Sequence, residues 1–311
     1  MQGEDTYEAF DIFLPLFHPQ IGDRQSLVIR EPGRPGTRTV RVAALSYAHR
    51  LAARPEQSDG EGLLWTLDTS SPDHAVLRMP TWALYNSHWD WKAFLQSMFE
   101  TLASRNIPAL VIDLRGNEGG IDAGNGILSH LIDRELHLPG YRRLVRYRKV
   151  PDDLVRHLDT WDPSFRDWGS NATPYDDRYY RLTRYDDAAD ELVIHPEAPR
   201  YHGRIFVLVG ATNSSATFEF ALAVQQAKLG ELVGQSTGGN RRGINGGAFF
   251  FLRLPNSGIE LDLPLIGQYP LVEQPDAGLD PHVPVTASVA DIAAGRDAEM
   301  AAVLARLPEP H

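Results

Sequence analysis

Cysteine is missing altogether from the 311 residues. That removes disulfides, thiolate metal sites and a cysteine nucleophile together, and leaves the redox compartment open. Lysine is nearly missing too, with Lys92, Lys149 and Lys228 the whole complement. No apolar run approaches the ~20 residues of a membrane-spanning helix. The acidic start MQGEDTYEAF has no signal-like apolar core. Either the protein is cytoplasmic, or a leader has been removed and Met1 is an expression start, in which case the periplasm or secretion is favoured. The 11 histidines are scattered without His-x-x-x-His or other ligand spacing, so no metal site is expected. The formal net charge of −11 argues against nucleic acid and against anionic membrane surfaces. What is present, 42% hydrophobic and 23% charged residues, suits a globular protein with a substantial core. The length suits one large domain, or a large domain with a small appendage.

Residues 1–75 read as a β-rich appendage: SLVIREP and TRTVRVAAL are strand-like and joined by the turn-rich GRPG, while ARPEQSDGEG reads as a polar loop. From residue 76 to 311 the pattern is α/β. AVLRMPTW and PALVIDLRG are strand candidates, the second a continuous apolar run of the kind buried on both faces. DWKAFLQSMFETLASRN and GNGILSHLIDREL have helical periodicity. RIFVLVG, TFEFALAVQQAKLG and ELVGQST continue the alternation, which implies parallel strands with helices packed on the sheet. An insertion at about 138–203 fits neither pattern; it is charged, aromatic and expected to be irregular, as a lid or binding region would be. AFFFLRL and GIELDLPL around PNSG predict a hairpin.

Three unusual loops follow strand candidates and therefore gather on one edge of the sheet, where parallel α/β folds place their ligand crevice. They are ALYNSHWDW, RGNEGGID and ATNSSA. In RGNEGG, Gly119 and Gly120 allow positive φ and can aim N–H groups at an anion, or they simply make a tight turn. The spacing matches neither a phosphate loop nor a dinucleotide fingerprint, so no cofactor is expected. In NSSATFEF, one of Asn213, Ser214 and Ser215 caps the following helix, or a serine stands there as a nucleophile on a strand–turn–helix bend. A serine hydroxyl needs a neighbouring proton acceptor. His88 lies on the first loop with Ser87 before it; His282 is the next choice, His18 and His49 belong to the appendage, and a base upstream of Met1 is the remaining alternative.

VIDLRGNEGG followed by NSSATFEFA and LGELVGQSTGG resembles the tail-specific and C-terminal processing serine peptidases, including the tricorn core and retinoid-binding-protein-like branch. The resemblance covers about residues 76–286, interrupted by the insertion. It implies a crotonase/ClpP-like α/β spiral, with Ser215 as nucleophile and Ala216 and a glycine of the 119–120 pair as oxyanion donors. The family's Ser-Lys members carry a lysine where this chain has Asn240. Its tricorn-like branch uses histidine with a glutamate, for which VEQPDAGLDPHV offers Glu273, although two extra residues intervene and His282 follows Pro281. That branch's histidine lies further toward the N-terminus than His88, so His88 rests on its loop position alone. The 25–43 segment resembles only the end of a PDZ domain. The expected activity is hydrolysis of a peptide through an acyl-enzyme at Ser215. The alternatives are an esterase with the same nucleophile, acting on a small ester, and a non-catalytic crotonase-like binding protein.

Overall fold

Residues 22–31, 34–44, 46, 48–49, 65–185 and 191–307 are described by the computed structural model. The chain divides into Met1–Leu64 with Thr286–Ala301, and Trp65–Val285 with Ala302–His311. In the first unit, β1 (Arg24–Ile29) alternates exposed and half-buried residues and pairs antiparallel with β2 (Arg38–Ala43), Arg24 opposite Ala43 and Ile29 opposite Arg38. That is the hairpin the sequence predicts.

The second unit opens with β3 (Thr66–Asp68), β4 (Ala75–Arg78), α1 (Trp91–Ser104), β5 (Ala109–Asp113) and α2 (Ala123–Leu131). Six short strands follow: β6 (Leu136–Pro139), β7 (Tyr141–Val145), β8 (Leu158–Asp159), β9 (Ala172–Pro174), β10 (Tyr180–Leu182) and β11 (Glu191–Ile194). The chain continues with β12 (Arg204–Val209), α3 (Ser215–Gln226), β13 (Glu231–Gly234), β14 (Ile244–Arg253), β15 (Glu260–Pro270) and β16 (Val283–Pro284). The last two helices of the chain are α4 (Val289–Ala293), in the first unit, and α5 (Ala298–Leu304). Among the described residues no helix is long and apolar enough to cross a membrane.

The core sheet has the order β16-β13-β12-β5-β4-β3, parallel throughout except for β3 against β4. β5 and β12 sit at its centre with almost every side chain buried, as continuous apolar runs require. Leu110 and Ile112 of β5 and Ile205, Val207 and Val209 of β12 share a core with α1, α2 and α3. Each such side chain contributes about 1.5–3 kcal/mol on full burial. α1 starts where the Asp90 carboxylate accepts from Ala93 N at 3.0 Å, and buries Leu95, Met98, Phe99 and Leu102, the spacing of one helical face. It stops at Asn106, whose φ of 51° reverses the chain. α2 crosses α3 so closely that a Cβ on Gly124 would lie 2.8 Å from Phe220 Cβ.

Two expectations are corrected. The helix read in GNGILSHLIDREL ends at Leu131, and Ile132 is extended. The carbonyls of Ser129 and His130 accept from Glu197 N and Tyr201 N, so the last turn is finished by a distant segment rather than by more helix. Residues 138–203 are not irregular, because they contain most of the short strands. β7, β9 and β10 join β8, β14 and β15 in a second six-stranded sheet, and β11 pairs with β6. That sheet has its own core of Val145, Val150, Phe165, Trp168, Leu182, Phe250 and Ile266. Strands of two to five residues show no readable periodicity, and their partners β14 and β15 lie far along the chain.

Candidate active site

The turn from β12 into α3 resolves the two serines. Ser214 is extended and makes no capping bond; its Oγ donates instead to Glu118 O at 2.9 Å. Ser215, the first helical residue, has φ of 51°, a left-handed conformation that costs a non-glycine residue about 1–2 kcal/mol. Its hydroxyl makes no hydrogen bond to any described residue, and it lines a cleft of about 1290 Å³. The amides of a helix's first turn have no intrahelical partner. A strained, uncapped serine therefore opens a helix end where backbone N–H groups lack intrahelical partners, and the capping reading fails for both hydroxyls.

Two buried asparagines set this bend. Asn213 takes Gly210 N on its Oδ1 at 2.7 Å, and its Nδ2 donates to Leu114 O at 2.7 Å and Asn117 O at 2.9 Å. Asn117 donates to Met79 O at 2.7 Å and accepts from Gly119 N at 2.9 Å. Thr217 Oγ1 adds a bond to Asn117 O at 3.0 Å, and Gly239 N reaches Asn213 O at 2.8 Å. Loops after β4, β5, β12 and β13 are thus locked together at the carboxyl edge of the sheet. Both amides are fully buried, so their partners have no water to replace them. Asn213→Ala is expected to cost about 3 kcal/mol or more, since it leaves one donor and two acceptors buried without it. Urea unfolding checks this, and a loss below about 1 kcal/mol would contradict the clamp.

The diglycine loop lies directly against the serine. A Cβ on Gly119 would meet Ser215 Cβ and Ser214 O at 2.9 Å and Ala216 N at 3.0 Å. The two glycines differ in use. Gly119 N–H donates to Asn117 Oδ1. Gly120 and Ala216 line the cleft beside Ser215. Gly120, with φ of 142°, packs its Cα onto the Trp82 carbonyl, where Ile121 N also bonds at 2.9 Å.

The acid–base partners read from the sequence are not brought in. His88 is exposed and does not line the cleft, although Tyr85 and Asn86 of its loop do. Glu273 is exposed beside the cleft-lining Gln274. His282 receives Leu232 N on Nδ1 at 2.9 Å, at the amino end of β13 and so at the opposite edge from the site. His49 belongs to the other unit, and His18 lies outside the described residues.

Glu219 carries no sequence signal beyond being a lone acid in an apolar helix. It lies four residues beyond Ser215 in α3, lines the same cleft, and has no hydrogen bond or ion pair with any described residue. Burial pushes its carboxyl up to about 7; the Asp122 charge adds to this, and the Arg143 guanidinium opposes it. Tyr141 faces it from β7, its phenol pushed up to about 12 by burial and then by the Glu219 charge. The cleft is completed by parts of the former insertion, among them Trp161, Tyr185 and Leu192, and by Arg241 and Asp262. Among the described residues no group of His, Asp and Glu is arranged to hold a metal ion.

The model of peptidase family S41 matches residues 73–260. No curated protein matches the chain. Among solved structures, the chain is similar to a candidate peptidase from Parabacteroides merdae, with 18% identity and a TM-score of 0.51, over 78% of this chain and 64% of that one. It is also similar to mature CPAF, with 20% identity and a TM-score of 0.50, over 86% of this chain and 63% of that one. The chain therefore spans a little under two thirds of the length of each. At these identities the structural likeness speaks for the fold alone.

Proposed function

The chain belongs to peptidase family S41, and from that membership we propose that it hydrolyses peptides through an acyl-enzyme at Ser215. One observation carries the reading: an unpartnered serine hydroxyl on a left-handed residue, opening into a large cleft beside Gly120 and the first turn of α3. In the proposed reaction, Ser215 Oγ adds to the scissile carbonyl, and the N–H groups of Ala216 and Gly120 hold the resulting oxyanion. Expulsion of the amine leaves the acyl group on Ser215, and water releases it. Each donor contributes about 100- to 1000-fold in rate.

The cleft size favours a peptide over a small ester. Small-molecule pockets hold about 300–1,000 Å³, and this one holds about 1290 Å³. Cutting near a free carboxyl terminus is supported by Arg241. It lines the cleft, pairs with no carboxylate among the described residues, and its buried Nε has no hydrogen-bond partner. On the same premise the core is proposed to be a crotonase/ClpP-like spiral, with the β1–β2 segment as the appendage. The placement of β3 in the core sheet favours a boundary near Trp65 over one at residue 75. The roles read for His88 and Glu273 would need both side chains to enter a cleft that neither lines.

A fluorophosphonate probe tests the reading. A single adduct on Ser215, absent from Ser215→Ala, is the expected result. Folded protein that takes up no label would favour the non-catalytic binding alternative. Faster turnover of short acyl esters than of peptides with free carboxyl termini would favour the esterase.

A further inference from the structure

A serine nucleophile needs a group that can take its proton, and the cleft offers few. Among the described residues its cationic side chains are Arg143 and Arg241, whose guanidinium groups donate hydrogen bonds and accept none. None of the three lysines lines it, and no histidine among the described residues does. Among the described residues its carboxylates are Asp122, Glu219 and Asp262. Asp122 and Asp262 are exposed to solvent. Glu219 is the exception, being largely screened from solvent by its neighbours.

Position singles out the same residue. Ser215 opens α3 and Glu219 follows one turn later, and both line the same cleft. A glutamate side chain covers that gap directly or through one water. Glu219 has no described partner to hold it elsewhere, and Phe218 and Phe220 on either side are buried in the core. We infer that Glu219 is the proton acceptor for the Ser215 hydroxyl, forming a serine–glutamate pair in one cleft. The inference rests on Ser215 as the nucleophile proposed above.

The steps balance. As Ser215 Oγ bonds to the acyl carbon, its proton moves to a Glu219 Oε. As the C–N bond breaks, that proton passes to the departing amine nitrogen. Water then gives one proton to Glu219 and its hydroxide to the acyl carbon. Ser215 Oγ leaves and takes the proton back, so one water is consumed per bond cut. Only the ionised carboxylate can start the cycle. With its carboxyl held up to about 7, Glu219 is ionised above that pH and protonated below it. Asp122, in the loop before α2, moves the midpoint up; Arg143 moves it down; and Tyr141 stays neutral over this range.

The experiment is the pH dependence, between about pH 5 and 9, of Ser215 labelling by fluorophosphonate and of peptide turnover. In the wild type both are expected to rise about tenfold per pH unit below a midpoint near 7 and then level off. Glu219→Gln is expected to lose about 100-fold or more and to lose the pH step. Glu219→Asp should keep the step at a lower plateau, which also covers the case in which Glu219→Gln fails to fold. The melting temperature of Glu219→Gln at pH 8 should match or exceed the wild type, because the variant removes a desolvated charge. If Ser215 is labelled while Glu219→Gln keeps the rate and the step, this inference falls and the nucleophile stands. A slower Glu219→Gln that retains the step also overturns it, leaving a packing role. Loss of the step in His88→Ala would move the acceptor to His88. If the wild type is not labelled on Ser215, the proposed function fails and this inference fails with it.

Discussion

Ser215→Ala is expected to lower peptide turnover by about 10⁴- to 10⁶-fold while leaving the protein folded. The hydroxyl has no hydrogen bond to any described residue, so its removal strands no partner. Alanine inherits the same φ of 51° and therefore the same strain. Ser215→Gly is the informative companion. Glycine adopts that conformation freely, so it should be as inactive as alanine and yet more stable by about 1 kcal/mol, or about 2–4 °C in melting temperature. Opposite responses of activity and stability at one position are the signature of strain held for function. Turnover by Ser215→Ala within about tenfold of wild type would end the acyl-enzyme reading. A Ser215→Gly variant less stable than Ser215→Ala would show that the backbone there is not strained.

The second large effect is expected at Gly120. A Cβ there would lie 2.1 Å from Trp82 O, 2.2 Å from Trp82 C and 2.5 Å from Ala83 N. All three are backbone atoms, and the φ of 142° is itself foreign to alanine. No rotamer change relieves this, so the loop has to leave Trp82 and give up the Ile121 N bond to the Trp82 carbonyl. Gly120→Ala should therefore lose several kcal/mol of stability and at least about 100-fold in activity together. Gly119→Ala should separate the two effects better. Its Cβ would press on Ser215 Cβ and Ser214 O at 2.9 Å, at the nucleophile itself. Activity should fall by a similar factor with a smaller shift in melting temperature, read from kcat/KM and thermal unfolding of both variants. Wild-type activity in Gly120→Ala would mean that the loop has freedom these contacts deny.

How much of this was legible beforehand depends on the range of the forces involved. β5, β12 and α1 are plain in PALVIDL, RIFVLV and WKAFLQSMFETLAS, because burial on both faces or on one helix face writes a local period. The strands at 138–203 are not, since each is held by a partner about a hundred or more residues away or by a short neighbour of no distinctive pattern. Asn213 is a capping candidate in the sequence and Asn117 carries no signal of its own, so their clamp appears only once four loops meet. Glu219 read as an ordinary helix acid, because its desolvation comes from walls contributed by other parts of the chain. Gly119 and Gly120 are equivalent in the sequence as neighbours, yet the amide of one donates to Asn117 while the other residue lines the cleft.

Residue order alone was enough for the alternating β/α core, for the serine at the head of α3 and for the glycine pair, since periodicity and turn chemistry act over a few residues. The choice between capping and an exposed nucleophile was made by folding, through the left-handed φ of Ser215 and the diversion of Ser214 to Glu118. Folding also left His88 and Glu273 at the surface and enclosed Glu219, because burial and through-space charge depend on what the rest of the chain packs around a group.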